Sequence, residues 1–274
     1  MPDVTELALM LVFLLVIGAV AGVIAGMLGV GGGIVLVPAF FYAFTTLGYD
    51  SPQLMQICIA TSLATIIVTS IRSVSAHHKK AAVDWAVLQR WAPGIGLGAV
   101  AGVFVVTGLK TAVLQGIFGG LGMAVGLYLG LGRAEWRLAA QMPGPLGRAI
   151  LSPLVGFLSV LMGIGGGSFG VPLMTLCSMP IHRAVATASG FGLMIAAPSV
   201  AVLLFSDIAP AGRPPFTLGA VNLVAFAVIL AVSLQTTTLG VRLAHAMNPA
   251  PLRRFFGLFL TIVALNMLRK AIMA

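Results

Sequence analysis

Charge is scarce in this chain. Of its 274 residues only 8% are Asp, Glu, Lys or Arg, and just six are acids. A soluble domain carries roughly 25% charged residues, so most of the chain is not built to face water. Strict alternation of polar and apolar residues is also missing, which excludes a transmembrane barrel. No carboxylate falls in the middle of an apolar run: Asp3, Glu6, Asp50, Asp84, Glu135 and Asp207 stand at run ends or between runs. The intramembrane acid relay that proton pumps carry is therefore absent, which leaves the coupling ion undefined and suits an anionic substrate. Cysteine is limited to Cys58 and Cys177, both in apolar sequence. They read as buried small hydrophobes, and a disulfide has no support. No basic region precedes the first apolar run, so residues 7–28 read as a retained membrane segment and not as a cleaved leader.

What the chain does have is hydrophobicity, at 59% of residues, with a mean hydropathy of +1.11. In lipid each backbone polar group needs an internal partner, so these runs must be helices. The 34 Gly and 15 Pro do not signal disorder, because membrane helices tolerate both. Apolar segments fall at about 7–28, 32–47, 54–74, 84–107, 112–131, 148–164, 167–178, 184–205, 217–240 and 252–268. The expected fold is an all-α membrane protein of about ten transmembrane segments. The longest polar interruption, 133–147, holds Arg133, Glu135, Trp136, Arg137 and Pro143-Gly144-Pro145. It reads as a linker between an N-terminal unit, 1–132, and a C-terminal unit, 148–274.

The two units begin alike. Gly29-Val30-Gly31-Gly32-Gly33 precedes Pro38, and Gly163-Ile164-Gly165-Gly166-Gly167 precedes Pro172, every position lying 134 residues from its counterpart. Gly22 and Gly156 keep the same offset. Further on, Ala60-Thr61 parallels Ala186-Thr187 at an offset of 126, while Val83-Asp84 parallels Val221-Asn222 at 138. Nearly the whole chain thus reads as two copies of a five-segment unit. An odd number of spans per unit makes the second copy enter from the opposite side, so the repeats are expected to be inverted. The net charge is +9, which in a membrane protein concerns the two faces of the bilayer and not nucleic acid. With the N-terminus outside, cytoplasmic loops hold Arg72, Lys79, Lys80, Arg90, Arg133, Arg137, Arg148, Arg183, Arg242, Arg253 and Arg254, of 15 basic residues in all. Basic residues gather on the cytoplasmic side; both termini are therefore expected outside, although Arg269 and Lys270 oppose that orientation.

Glycine makes poor continuous helix, and paired breaks at matching depth point to a binding site of broken helices. Each break leaves N–H groups at the start of the next helix that attract anions. Glycine lets an anion reach the bare backbone. Close helix packing is the plain alternative for such small residues. The substrate-binding candidates are Gly31, Gly32, Gly33, Gly165, Gly166, Gly167 and Ser168, with hydroxyls from Thr61, Ser62, Thr65, Thr187 and Ser189. Those hydroxyls could equally bond back to their own helices. Thr236, Thr237, Thr238 and Asn222 are weaker candidates. The Gly clusters lack the Lys-Ser/Thr of a phosphate loop. His77 and His78 lie beside Lys79 and Lys80 without nearby acids or Cys, so a solvated basic loop is expected and no metal. His182 and His245 are expected in loops. Trp85, Trp91 and Trp136 suit the bilayer interface.

The motifs Gly29–Pro38 and Gly163–Pro172, with Ala60-Thr61-Ser62-Leu63 and Ala186-Thr187-Ala188-Ser189, resemble the TauE/SafE family of sulfite exporters over essentially the whole chain. The resemblance implies a membrane transporter of small sulfur-containing anions such as sulfite, sulfoacetate or thiosulfate. It implies a substrate region at the two Gly turns and the Thr/Ser residues above. Ala188 stands where the first copy has Ser62, so unequal contributions from the halves are expected. The combined expectation is a non-enzymatic exporter of the bacterial inner membrane working by alternating access, without cofactor, whose partners are the anion and the bilayer. A homodimer stays open. The alternatives are a passive anion channel, a membrane enzyme using His77, His78 or Cys58, and an assembly protein without ligand.

Overall fold

The computed structural model describes residues 4–29, 31–132, 136–246 and 249–273. Asp3, Val30, Arg133 and Glu135, which figure in the sequence argument, lie outside the described residues. The chain is helical, as backbone without water to bond requires. The helices are α1 (Val4–Leu28), α2 (Gly33–Thr46), α3 (Leu54–His78), α4 (Trp85–Gly108), α5 (Thr111–Leu131), α6 (Pro145–Leu161), α7 (Gly167–Leu176), α8 (Ile181–Leu203), α9 (Leu223–Ala246) and α10 (Pro249–Met273). A small antiparallel hairpin, β1 (Thr217–Leu218) and β2 (Val221–Asn222), pairs Thr217 with Asn222 and Leu218 with Val221.

Among the described residues six helices are long and apolar enough to cross a bilayer: α1 through Leu11–Leu28, then α3, α4, α5, α8 and α9. With α2 at 14 residues and α7 at 10, a rise of about 1.5 Å per residue gives roughly 21 and 15 Å. The hydrocarbon core is about 30 Å thick, so these two helices reach only part-way. The ends still sort into two groups. At one, the α2–α3 loop meets α5 through Thr111 Oγ1, which donates to Pro52 O at 2.8 Å, and the 206–216 loop through Ala209 N, which donates to Gln53 Oε1 at 2.8 Å. At the other, Leu138 N donates to Leu176 O at 2.8 Å and His77 Nδ1 lies 3.1 Å from His245 Nε2.

Helices α3 and α8 pack together in the middle. Around them α1 lies on α9, α4 on α6 and α5 on α10, while α3 also touches α9 and α8 touches α4. This set of pairings is unchanged when α1–α5 are exchanged with α6–α10. Small residues allow the close approaches: a Cβ at Gly22 would sit 2.8 Å from Ser233 Cα, and one at Gly156 would sit 2.9 Å from Ala99 N. Large apolar side chains such as Leu9, Val12, Leu97, Phe104, Leu131 and Leu258 point outward, whereas α3 buries Thr61, Ser62, Thr65, Thr69, Ser70 and Ser73. That arrangement suits lipid outside and polar contacts inside.

Several sequence boundaries shift. Helix α3 runs past 74 to His78, α8 begins at Ile181 and α9 reaches Ala246. His182, Arg183, Arg242 and His245 therefore lie on helices and not in loops. Helix α10 covers Pro249–Met273 and not 252–268, and the ninth segment opens with the β1–β2 hairpin before its helix. Trp85 and Trp136 are exposed, but Trp91 is buried and stacks on Phe191 with ring centroids 6.4 Å apart. Cys58 and Cys177 are free and buried.

Candidate functional site

The two glycine corners meet. The first links α1 to α2, and the second links α6 to α7. A Cβ placed on Gly31 would lie 3.4 Å from Gly165 Cα and 2.9 Å from Ile66 Cγ1; one on Gly33 would lie 2.8 Å from Ile164 Cα and against Gly163 O. At Gly33 backbone thus touches backbone, a contact any side chain would block. Gly31 and Gly32 also hold φ of +74° and +79°, the left-handed region that glycine alone enters without strain.

Each corner rests on the central helix of the other unit. At Gly29 a Cβ would meet Val185 O and stand 3.2 Å from Ser189 N, both on α8, and at Gly163 a Cβ would stand 3.0 Å from Ile59 Cα on α3. Val185 and Ile59 are 126 positions apart, the offset already seen for Ala60-Thr61. Ser62 Oγ donates to Gly163 O at 2.8 Å, so α3 holds the second corner directly.

The other hydroxyls divide by partner. Thr65 Oγ1 donates to Ser62 O at 2.6 Å and Ser189 Oγ donates to Ala186 O at 2.6 Å; both bond back to their own helices. Thr61 Oγ1 accepts from Asn222 N at 2.9 Å, and Thr187 Oγ1 accepts from Asp84 N at 2.9 Å. Asp84 and Asn222 in turn cap the following helices, Asp84 Oδ1 accepting from Val87 N at 3.1 Å and Asn222 Oδ1 from Ala225 N at 2.9 Å. Ser168, 1% exposed in the first turn of α7, has a hydroxyl with no hydrogen-bond partner among the described residues. Gly32, Gly166 and Gly167 are buried at the corners, whereas Thr236, Thr237 and Thr238 lie on α9, where Thr237 is buried and the other two are half-buried.

No carboxylate joins this region among the described residues. Asp84 pairs with Arg183 at 3.0 Å at one end of the molecule, where Arg183 is half exposed. At the first turn of α7, Gly170 N donates to Gly166 O at 2.7 Å, so the N–H groups of Gly167, Ser168 and Phe169 precede the helical ladder. Together with the Ser168 hydroxyl they form a set of donors, neutral and buried, of the kind that would hold a negative charge.

The histidines were misplaced by sequence reasoning. His77 is 1% exposed; besides His245 it meets Gly26 O, 3.2 Å from Nε2, and His182 stacks on His245 with centroids 6.0 Å apart. The spacing of Ser73 and His77, four apart at the end of a helical run, was the available signal. No group of three or more His, Cys, Asp or Glu among the described residues is placed to hold a metal. Gln56, also not foreseen, donates from Nε2 to Val106 O at 2.9 Å and Leu109 O at 2.8 Å, closing the end of α4.

The family described as sulfite exporter TauE/SafE matches residues 14–267. A probable membrane transporter protein of Haemophilus influenzae is 31% identical over 257 residues, covering 93% of this chain and 97% of its own. One from Methanocaldococcus jannaschii is 26% identical over 271 residues, covering 96% of this chain and 97% of its own. A third, from Bacillus subtilis, is 31% identical over 195 residues, covering 64% and 71%. No solved structure matches the chain.

Proposed function

Because the chain belongs to the TauE/SafE sulfite exporter family and is a multi-pass membrane transporter, we propose that it exports a small sulfur-containing anion. Sulfite, sulfoacetate or a related sulfonate fits the reading. The observation that carries it is the meeting of the two glycine corners beside the buried, unpartnered hydroxyl of Ser168. At that point the N–H groups of Gly167, Ser168 and Phe169, which precede the α7 ladder, would take the oxyanion, with Gly31, Gly32, Gly33, Gly165 and Gly166 forming the close backbone around it. Ser168 adds a hydroxyl donor and Ser62 and Thr65 shape the wall, while Thr61 and Thr187, whose oxygens accept from Asn222 N and Asp84 N, would reach the anion only through the hydroxyl hydrogen each keeps. These donors stand in for the anion's hydration shell without introducing a cation that would trap it.

The two units act as inverted repeats. Support comes from the helix pairings that survive exchange of the halves, and from the matched bonds Thr61–Asn222 and Thr187–Asp84 that cross between them. Alternating access follows if one unit rocks against the other, exposing the corners first to one side and then to the other. The basic residues gathered at the His77 end support a cytoplasmic position for it, with both termini outside a bacterial inner membrane. Lys79, Lys80 and Arg183 there would gather anions at the inner mouth.

Counterflow in proteoliposomes tests the reading. Internal sulfite or sulfoacetate should accelerate entry of labelled substrate, and the rate should saturate. Flux that grows linearly with concentration and ignores internal substrate would instead identify a passive channel. No flux, and no thermal stabilisation by sulfite, thiosulfate, sulfonates or carboxylates, would reject an anion site altogether.

A further inference from the structure

At the His77 end, α3 and α9 enclose a pocket of about 280 Å³ lined by Arg72, Ser75, Lys79, Lys80, Thr238 and Arg242. Four cationic residues share this lining, with no carboxylate among the lining residues. None of them forms an ion pair among the described residues, where the ion pair present joins Arg183 to Asp84. His77 and His245 on the same two helices bring no negative charge, because an imidazole is neutral or cationic. Repulsion among the four is relieved by an anion in their midst. Two guanidinium groups and two hydroxyls supply the forked and single donors that suit a tetrahedral phosphate.

The rim decides which phosphate. Ile71, adjacent to Arg72, is 46% exposed, and Leu239, adjacent to Thr238, is 49% exposed. An apolar border beside a cationic pocket fits an amphiphile, with its phosphate among the cations and its chains along the helices. A free ion would leave that border unused. The larger cavity at the opposite end, about 640 Å³, holds Lys110, Arg269 and Lys270 but also the Asp50 carboxylate, and there Lys270 Nζ sits 4.3 Å from the centre of the Tyr42 ring.

We propose that the pocket between α3 and α9 binds the phosphate of an anionic glycerophospholipid, and that the bound lipid braces these two helices. The site is separate from the glycine corners and stands whether or not the transported anion is a sulfonate. The test is thermal unfolding of the full chain in detergent with added phosphatidylglycerol, phosphatidylcholine or inorganic phosphate at matched ionic strength. Phosphatidylglycerol should raise the midpoint saturably, phosphatidylcholine far less and inorganic phosphate not at all. The double variant Arg72→Gln/Arg242→Gln should bind phosphatidylglycerol at least tenfold more weakly. An equal shift with phosphatidylcholine, the same shift with inorganic phosphate, or undiminished lipid affinity in the variant would each overturn the proposal. Should the variant fail to fold, native mass spectrometry of the unaltered chain decides. Preferential retention of phosphatidylglycerol over phosphatidylcholine supports the site, and indifference refutes it.

Discussion

A hydroxyl buried without a partner is a cost unless something else uses it. Ser168 is such a group among the described residues, and Ser168→Ala should leave the unfolding midpoint nearly unchanged because no bond to them is lost. If the hydroxyl holds the anion, substrate affinity should fall about tenfold, which corresponds to about 1.4 kcal/mol; isothermal titration would read it. Thr61 behaves oppositely. Thr61→Val strips the acceptor from a buried Asn222 N–H and should destabilise by about 1–3 kcal/mol, with Thr61→Ser restoring most of it. Chemical denaturation in detergent compares the three. Sequence alone pointed to Thr61 and Thr187 as polar groups in apolar surroundings. It could not supply their partners, which stand 161 and 103 residues away in the chain. Nor could it separate Thr65 and Ser189, which bond within their own helices, from hydroxyls left for a ligand. Residue type is local, whereas hydrogen-bond satisfaction depends on what tertiary packing brings near.

At the level of the element, the corners are the sensitive places. Gly31→Ala would put a Cβ 2.9 Å from Ile66 at a φ of +74°. We expect a loss of more than about 1 kcal/mol and a larger loss of flux, because the second corner lies against the first. Retained flux with an unchanged midpoint would show that the corners do not need to touch. The salt bridge from Arg183 to Asp84, with Arg183 side chain 53% exposed, should matter little to stability, at about 0–1 kcal/mol. Arg183→Gln should therefore unfold like the parent in a thermal scan. Hydropathy located the helices well but misjudged their ends. Arg72, His77, Arg242 and His245 read as loop residues because they are polar, yet α3 and α9 continue through them. A helix stops where capping or packing ends it, not where the lipid does. Trp91 misled in a similar way: its size suited the interface, but Phe191 stacks on it in the interior.

For the molecule as a whole, orientation has a direct measurement. Lys80 and Lys110 lie at opposite ends of α4 and its flanking turns. In a background with Cys58→Ser and Cys177→Ser, a cysteine at position 110 should react with an impermeant maleimide applied to intact cells. A cysteine at position 80 should react only after the membrane is opened. The reverse pattern would turn the molecule over and invert the direction of export. The pairing of the two glycine corners was readable because their clusters share one constant offset of 134 residues. The partial reach of α2 and α7 was not readable, since the apolar runs continue on either side of the breaks.

The crossed bonds between Thr61 and Asn222 and between Thr187 and Asp84 set an order on biogenesis. When the ribosome has delivered the first five helices, the amide of Asp84 still lacks its acceptor, and Thr61 its donor. Those latches close only once translation has passed residue 187 and then residue 222. The newborn N-terminal portion is thus an unfinished clasp, obliged to wait in the lipid for the remainder of its own chain.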